Sequence, residues 1–244
     1  MNGFILAAGR GERLRPLTDH TPKPLIEIDG HPVIDHTLER LRRLPIRRII
    51  VNVWHLADLL ADHLTRHPFW GDRIDISRET ELLETGGGVC NALPLLGHEP
   101  CLAINGDILW EFDLAPLIEH FAPSRMDALL LLVANPEGKG GDFVFSSEKP
   151  EVIASPAGGP WGNIRRREGD APGWTYSGIQ VFNPRALELY PVTRFSLNRF
   201  FDDALRRERL FGIFPPGRWS DIGTPQTLAR ARDEWKFPLQ IRAG

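Results

Sequence analysis

The residues with the clearest chemical potential lie near the start of the chain, where several cations surround two glycines. The cations of this stretch are Arg10, Arg13, Arg15 and Lys23. Gly9 and Gly11 accept positive φ angles and let backbone N–H groups approach an anion without a Cβ in the way. The combination suits the binding of a polyphosphate. The simpler alternative is a basic surface loop that follows a strand.

Two established phosphate-binding motifs are absent from this stretch. It contains no G-K-[ST], so it is not a P-loop. Leu14 occupies the third glycine position of G-x-G-x-x-G, so the dinucleotide-binding fingerprint also fails. A phosphate-binding function must therefore rest on a different arrangement of these glycines and cations.

The composition predicts an ordinary globular enzyme rather than a nucleic-acid or membrane protein. The 244 residues are 42% hydrophobic and 25% charged, which is enough for one large domain. A net charge of -3 gives no global field that attracts nucleic acid. Cys90 and Cys101 lack metal or C-x-x-C spacing and are expected to be small buried hydrophobic residues in a reducing cytosol. The apolar run 128–134 is too short to span a bilayer, so we expect a cytoplasmic protein.

Short apolar segments alternate with segments of helical spacing through the first third of the chain. Residues 4–8 are apolar on both faces, as in a buried strand of a parallel sheet. We predict further strands at 48–53 and 74–77, the latter nearer the sheet edge, and helices at 33–44 and 56–67. This alternation predicts an α/β fold, namely a Rossmann-like three-layer α/β/α sandwich with a mixed, mainly parallel central sheet.

Three consecutive glycines at 86–88 precede a predicted helix at 89–96. Such glycines let the backbone lie flat against a planar group and expose N–H groups to an anion, whereas the alternative is a flexible linker. The following apolar segment, 102–106, predicts a strand whose carboxyl end carries Asp107. Ligands of open α/β sheets bind at these ends, so Asp107 is a candidate site residue.

The second half of the chain is predicted to contain more loops. Its predicted elements are a helix at 114–121, strands at 128–134, 143–145 and 176–182, a loop-rich region at 157–173, a helix at 197–207, a strand at 210–214 and a terminal helix from about Gln226. Thr224 and Pro225 are a plausible N-cap and first residue of the last helix. Trp161 and Trp174 either contact a sugar face or pack beneath the loops.

The segment L-A-A-G-R-G-E-R-L-R-P-L-T, followed by P-K-P-L, resembles the N-terminal signature of the sugar-1-phosphate nucleotidyltransferases. Members of this family join a nucleoside triphosphate to a sugar 1-phosphate and release pyrophosphate. The resemblance implies one domain over 1–244, with a nucleotide-binding core at 1–133 and a sugar-binding and metal-completing part at 134–244. The implied partners are these two substrates, without nucleic acid or membrane, in a monomer or homodimer.

The resemblance also assigns residues to the nucleotide. The implied nucleotide-binding residues are Leu6, Ala7, Ala8, Gly9, Gly11, Arg13, Lys23, Glu79, Thr85, Gly86 and Gly87. Arg13 matches a residue that holds the triphosphate, and Lys23 matches the lysine that approaches the α-phosphate. Glu79 matches a position that meets the base edge, where a carboxylate would accept the N3–H of uracil. The alternative for Glu79 is an exposed acid on a loop.

Two acids match the residues that bind catalytic Mg²⁺ in the family. Asp107 lies in N-G-D, and Asp221 lies in W-S-D-I-G-T-P. Mg²⁺ prefers a few carboxylate oxygens, completed by phosphate oxygens and waters. We therefore expect the two acids to meet on one Mg²⁺ and count Arg13, Lys23 and Asp107 as the catalytic residues. The alternatives are a turn residue for Asp107 and a helix cap for Asp221.

The sugar-binding side departs from the broader family. The implied sugar-binding residues are Asn105, Gly141, Asp142, Ser177 and Gly178. The usual E-K-P is absent just ahead of Tyr176, and Glu148-Lys149-Pro150 comes earlier in a predicted hairpin turn. The missing cation is expected from one of the three arginines at 165–167, although a solvated charge run is the alternative for them.

The segment L-E-T-G-G-G at 83–88 is most similar to the form in N-acetylmuramate-1-phosphate uridylyltransferases of cell-wall recycling. Many hexose enzymes have L-G-T-A-G there, and the segment ending at Asp142 is also similar to that subfamily. The open alternatives are a mannose-1-phosphate guanylyltransferase or another hexose-1-phosphate enzyme. A different class, a non-catalytic nucleotide-sugar-binding module, is disfavoured because Lys23, Asp107 and Asp221 are all present.

Overall fold

A computed structural model of the protein describes residues 1–134, 140–147, 150–152, 159–169 and 172–236. The strands are β1 (Asn2–Leu6), β2 (Glu27–Ile28), β3 (His31–Pro32), β4 (Ile49–Val53), β5 (Ile74–Arg78), β6 (Cys101–Asn105), β7 (Ile108–Trp110), β8 (Ala128–Ala134), β9 (Phe143–Phe145), β10 (Glu151–Val152), β11 (Pro160–Arg166), β12 (Trp174–Phe182), β13 (Leu210–Ile213) and β14 (Trp219–Asp221). The α-helices are α1 (Val33–Leu41), α2 (Ala57–Thr65), α3 (Glu84–Leu96), α4 (Ala115–His120), α5 (Asn198–Arg206) and α6 (Pro225–Glu234).

One large mixed sheet organises the molecule. Its strand order is β10-β11-β13-β8-β12-β6-β1-β4-β5, and β9 pairs with β11 and β12. Strands β6, β1, β4 and β5 run parallel, as the alternation of strands and helices predicts. Strand β12 joins this parallel part to β8 through antiparallel pairing on both sides. The predicted Rossmann-like α/β fold is confirmed, and β5 forms the predicted sheet edge.

Both faces of the sheet are buried, which makes three layers. Phe4 packs into a hydrophobic cluster with Val89 of α3 and Phe200 of α5. Its neighbour Ile5 points to the other face and packs into a cluster with Leu38 of α1. Because successive strand residues face opposite sides, an apolar run such as β1 fits only a strand covered on both faces. Each fully buried side chain of this size contributes roughly 1.5–3 kcal/mol.

The strand registers bring several chain segments to one edge of the sheet. Leu6, the last residue of β1, pairs with Asn52 on β4 and with Asn105 on β6. The glycine-rich segment after β1 and the N-G-D segment after β6 therefore leave the sheet at the same level. In a sheet of this kind the crevice beyond these carboxyl ends is the usual ligand site.

The structure differs most from the predicted elements in two places. Residues 160–166 were expected in a loop but form β11, which pairs with β13 and β9. Gly162 lies opposite Gly212 there, and glycines in both strands hid the strand pattern. The two tryptophans pack internally, since Trp161 stacks on Phe211 and Trp174 lies 4.1 Å from Phe214 between ring centroids. Helix α3 also begins at Glu84, five residues earlier than predicted.

The remaining composition-based predictions concern cysteines and membranes. Cys90 and Cys101 are buried free thiols, as predicted. Burial raises the pKa of the Cys90 thiol to about 11 and also raises the pKa of the Cys101 thiol, so both stay protonated at neutral pH. Across the described part of the chain, none of the helices has the length and apolar character needed to cross a bilayer.

The predicted start of the last helix is confirmed in detail. Thr224 is the N-cap of α6 and Pro225 is its first residue. The Thr224 hydroxyl accepts from the Thr227 N–H at 3.1 Å, and the Thr227 side chain returns to the Thr224 backbone N–H. Asp221 is tied to the same cap, because its Oδ1 accepts from the Gly223 N–H at 2.6 Å.

We predict that Thr224→Ala lowers the free energy of unfolding by about 1 kcal/mol, because the cap hydroxyl that satisfies the first turn is lost. Thr224→Ser is the matched control and should retain most of the wild-type stability. Urea unfolding followed by circular dichroism measures both variants. Equal midpoints for the alanine and serine variants would contradict the role assigned to this cap.

Candidate active site

A cleft of about 520 Å³ opens beyond the carboxyl ends of β1, β4 and β6. Its walls contain most of the predicted nucleotide-binding residues together with one predicted sugar-binding residue and one predicted metal ligand. These residues are Leu6, Ala7, Ala8, Gly9, Gly11, Arg13, Lys23, Thr85, Asn105 and Asp107. The residues predicted from the sequence therefore lie together in one cleft, although they come from segments up to about a hundred residues apart.

The glycine loop is held in a fixed shape by its own contacts. Gly11 has φ +65°, and an ideal Cβ there would lie 2.8 Å from the Thr18 Cγ2 atom. The Thr18 hydroxyl donates to the Gly11 carbonyl at 2.9 Å. Apart from the residues next to Gly9 in the chain, no heavy atom of the described residues lies within 4 Å of an ideal Cβ at Gly9, so the loop faces open space there. This leaves room for a ligand close to the backbone.

Two cations of the cleft, Lys23 and Arg10, are oriented by a neighbouring group. Lys23 Nζ donates to Asp107 Oδ2, which joins the lysine of P-K-P to the acid of N-G-D. The Arg10 guanidinium lies over the Trp54 ring, 4.7 Å from its centroid. Because these charges are positioned by the protein, they need little rearrangement when they meet a phosphate.

The two predicted metal ligands lie on neighbouring backbone segments. Asp221 on β14 pairs with Ile108 on β7, and the Ile222 N–H donates to the Asp107 carbonyl at 3.0 Å. An ideal Cβ at Gly223 would lie 2.7 Å from Asp221 Oδ1 and 2.9 Å from Arg13 Nη2, so Arg13 reaches the same place. Two carboxylates near the glycine loop match the oxygen donors that Mg²⁺ prefers. The described residues contain no cluster of three or more metal-binding side chains.

Glu79 does not face the cleft as expected for a base contact. Its side chain is buried, and both carboxylate oxygens have protein partners: Oε1 accepts from Asn52 Nδ2 at 2.7 Å, and Oε2 accepts from the Leu83 N–H at 3.1 Å. The Asn52 Oδ1 atom accepts from the Ala7 N–H at 2.7 Å. Burial raises the pKa of the Glu79 carboxyl, and the two hydrogen bonds oppose that shift. Glu79 therefore holds the loop after β5 in place. Its carboxylate is neither exposed nor directed into the cleft.

The glycines 86–88 do not expose their N–H groups in front of a helix. They lie inside the first turns of α3, and the Gly86 and Gly87 N–H groups both donate to the Phe195 carbonyl, at 2.9 and 3.2 Å. The space without side chains is occupied by neighbours. An ideal Cβ at Gly88, for example, would lie 2.7 Å from both Asn52 Nδ2 and Glu79 Oε1. Close packing, rather than anion binding or linker flexibility, explains these three glycines.

The predicted sugar-binding residues lie around an irregularity in β12. The register of β12 against β8 shifts between Tyr176 and Gln180, and Gly178 there has φ +85°. A Cβ at Gly178 would lie 2.6 Å from the Asn105 amide nitrogen, so this glycine supports a cleft residue. The Ser177 hydroxyl donates into the sheet, to the Leu131 carbonyl at 2.8 Å.

The segment around Asp142 is also engaged with this strand. Asp142 Oδ2 accepts from the Tyr176 N–H at 2.9 Å. Arg167 Nε donates to the Gly141 carbonyl at 2.9 Å, which makes Arg167 the arginine of the 165–167 run that contacts the predicted sugar segment. Arg166 pairs with Asp202, and Arg165 lines a different surface hollow. Glu148 and Lys149 of the E-K-P tripeptide lie outside the described residues.

Several cleft residues were not predicted. Asn52 had a detectable signal, because it is a polar residue in the otherwise apolar strand β4. Glu84 and Arg194 also line the cleft, and their side chains form an ion pair at 2.8 Å. Arg194 lies in a loop 110 residues away from Glu84, and the local sequence carries no sign of this contact.

Comparison with known proteins agrees with this geometry. The sequence profile of the nucleotidyl transferase family matches residues 2–236. The N-acetylmuramate alpha-1-phosphate uridylyltransferase of Neisseria meningitidis serogroup B is 36% identical over 95% of this chain and 97% of its own. The enzyme of the same name from Caulobacter vibrioides is 34% identical over 93% and 94%. The crystal structure of HddC from Yersinia pseudotuberculosis with GMP-PN has the same fold, with a TM-score of 0.74 at 24% identity over 96% and 99% of the chains.

We predict that Asn52→Ala lowers the free energy of unfolding by roughly 1–3 kcal/mol, because the Ala7 N–H and the Glu79 carboxylate lose a buried partner. Nucleotide affinity should fall as well, because the segment after β1 and the loop after β5 both lose the side chain that connects them. Asn91→Ala is the matched control, because Asn91 is only partly buried and its amide bonds to Ser77 and Arg78. Equal effects of the two substitutions on stability and nucleotide affinity would contradict this assignment.

Proposed function

Because the chain belongs to the nucleotidyl transferase family, and is a sugar-1-phosphate nucleotidyltransferase, we propose that it makes UDP-N-acetylmuramate from UTP and N-acetylmuramate 1-phosphate. An oxygen of the sugar phosphate attacks the α-phosphorus of UTP, the bond to the β-phosphate oxygen breaks, and pyrophosphate leaves. The observation that carries this proposal is the meeting of the glycine loop, Lys23 and Asp107 in one cleft. We place the reaction in cytoplasmic cell-wall recycling.

The phosphate end of the cleft supplies positioning and positive charge. The N–H groups of Gly9 and Gly11 and the Arg13 guanidinium are assigned to the triphosphate, and Lys23 is assigned to the α-phosphate. The reaction needs no side-chain base, because the attacking phosphate oxygen is already anionic. Catalysis of this kind depends mainly on alignment and on stabilising the charge of the transition state.

Asp107 and Asp221 are the residues that would hold Mg²⁺. When bound, the ion neutralises charge on the phosphate oxygens. The two acids fit this task because both are carboxylates on adjacent segments. Asp107 lines the cleft, and Asp221 lies just outside the lining, two residues before the cleft residue Gly223. The Lys23 contact to Asp107 and the Gly223 contact to Asp221 orient the two carboxylates.

We assign the acceptor sugar to the region between Asn105 and the irregular part of β12. Asn105 lines the cleft and is supported by Gly178, so its amide can hydrogen-bond a sugar hydroxyl. We also assign Gly141, Asp142 and Ser177 to this region, although none of the three lines the cleft. Asp142 accepts from the Tyr176 N–H of β12, and Ser177 is a buried residue of β12 that bonds to β8. In this arrangement the Ser177 hydroxyl bonds within the sheet, so Ser177 contributes to the shape of β12 and does not contact the sugar through its hydroxyl.

Substrate choice is tested by pyrophosphate release with Mg²⁺ and a panel of triphosphates and sugar 1-phosphates. We predict the highest kcat/KM for UTP with N-acetylmuramate 1-phosphate. A kcat/KM about tenfold higher for GTP with mannose 1-phosphate would overturn the uridylyl and muramate assignment. Absence of turnover with every pair, in folded protein, would instead favour a nucleotide-sugar-binding module.

Removal of either carboxylate tests the metal assignment. We predict that Asp107→Asn and Asp221→Asn lower kcat by orders of magnitude with an intact fold, because charge stabilisation in the transition state is lost. Asp62→Asn is the control, since Asp62 is an exposed acid on α2, 3.7 Å from Arg66 at the end of that helix and outside the cleft lining. Activity above about a tenth of wild-type kcat in either site variant at saturating Mg²⁺ would refute the shared metal site.

A further inference from the structure

A loop segment at 193–195, between β12 and α5, crosses the start of α3 and contributes Arg194 to the cleft wall. Its backbone is fixed on both sides. The Phe195 N–H donates to the Leu83 carbonyl at 3.1 Å, and the Phe195 carbonyl accepts from Gly86 and Gly87. Two residues further on, the Leu197 N–H donates to Thr85 Oγ1 at 2.8 Å. The segment is therefore a built part of the site and not a loose connection.

The sequence of α3 leaves room for this segment. A Cβ at Gly86 would overlap the Phe195 ring, and a Cβ at Gly87 would overlap the Thr193 carbonyl. Alanine at either position would push the segment away from the cleft. Two glycines in a helix interior are unfavourable by themselves, so their presence here is explained by the approach of this loop.

Glu84 pairs with Arg194 from an unusual backbone conformation. It has φ +60° although it is not glycine, and Arg194 Nε donates to its Oε1 at 2.8 Å. Non-glycine residues adopt this region at a cost, and such strain is concentrated at functional sites. Both side chains line the cleft beside Leu82 and Thr85.

We propose that Arg194 contacts the base of the nucleotide and that Glu84 both orients Arg194 and accepts a hydrogen bond from the base, an inference that rests on the proposed function. The cleft has a strongly cationic part, formed by the glycine loop and Lys23, which suits the triphosphate. The Glu84–Arg194 pair carries no net charge, and its carboxylate would repel a phosphate. An uncharged heterocycle at the other end of the nucleotide fits this wall better.

The chemistry of the pair also favours one class of base. A guanidinium donates hydrogen bonds and a carboxylate accepts them, so side by side they match a carbonyl next to a ring N–H. Uracil and guanine present this arrangement, whereas cytosine and adenine present an amino group next to an unprotonated ring nitrogen. The ribose fixes the direction in which the base enters the cleft. The donor of the pair must therefore lie opposite the base carbonyl, and the acceptor must lie opposite the ring N–H. Arg194 is thus assigned to selection of bases that present a carbonyl next to a ring N–H.

Calorimetric titration of UTP and CTP with Mg²⁺, without sugar phosphate, tests this assignment. Arg194→Ala should weaken UTP binding roughly tenfold and reduce the UTP-over-CTP preference by a similar factor. Arg194→Lys should fall between alanine and wild type, because it keeps the charge but loses the fork of donors. Arg199→Ala is the matched control: Arg199 lies over Tyr190 and Phe195 in the same region but outside the cleft lining, and its loss should not change base preference.

A second variant separates the effect of the Glu84–Arg194 pair on nucleotide binding from its effect on stability. Glu84→Gly removes the carboxylate and accepts φ +60° without strain, so its melting temperature should not fall, while UTP binding weakens as in Arg194→Ala. Wild-type affinity and base preference in both Arg194→Ala and Glu84→Gly would overturn the inference and leave the proposed function intact. If the wild-type protein bound neither triphosphate, the proposed function itself would fail.

Discussion

The buried amide of Asn52 holds together the part of the molecule on which the site depends. It accepts from the backbone after β1, through Ala7, and donates to Glu79 after β5. An unpaired amide at this depth would cost several kcal/mol, so Asn52 requires both the Ala7 N–H and the Glu79 carboxylate as partners. Gly88 completes the arrangement, because any side chain there would strike both polar groups. One satisfied network therefore fixes the glycine loop relative to the start of α3, and the nucleotide end of the cleft forms with the sheet itself.

The side of the cleft proposed for the acceptor sugar is fixed by a second set of contacts, centred on the irregular part of β12. Gly178 bends the strand and lies against Asn105, while the Trp219 indole donates to the Ser177 carbonyl at 2.8 Å. Trp219 begins β14, the short strand that ends in Asp221. A change in the shape of β12 is therefore transmitted both to a cleft amide and to a proposed metal ligand. This coupling explains how one sheet positions residues contributed by two halves of the chain.

The sequence predicts most of the architecture because its strongest signals are local. Apolar runs such as β1 and β8 specify buried strands, and Thr224 with Pro225 specifies a helix start. The errors arise where contacts between distant segments decide the structure. The glycines 86–88 were assigned to a ligand because their neighbours are not local in sequence: Gly86 packs against Phe195, and Gly88 packs against Asn52. Glu79 was assigned to the base for the same reason, since no local pattern distinguishes an acid facing a ligand from one facing a buried amide.

Three cations of the cleft have partners that the protein itself supplies. Lys23 contacts Asp107, Arg10 lies over Trp54, and Arg194 pairs with Glu84. Unpartnered cations crowded together would repel one another and rotate freely in water, and ordering them would cost conformational entropy on binding. Partners supplied by the protein lower that cost in advance, and the bound phosphates and base then gain contacts to groups that are already oriented. Electrostatic preorganisation of this kind is the main source of rate enhancement in reactions that need no side-chain nucleophile.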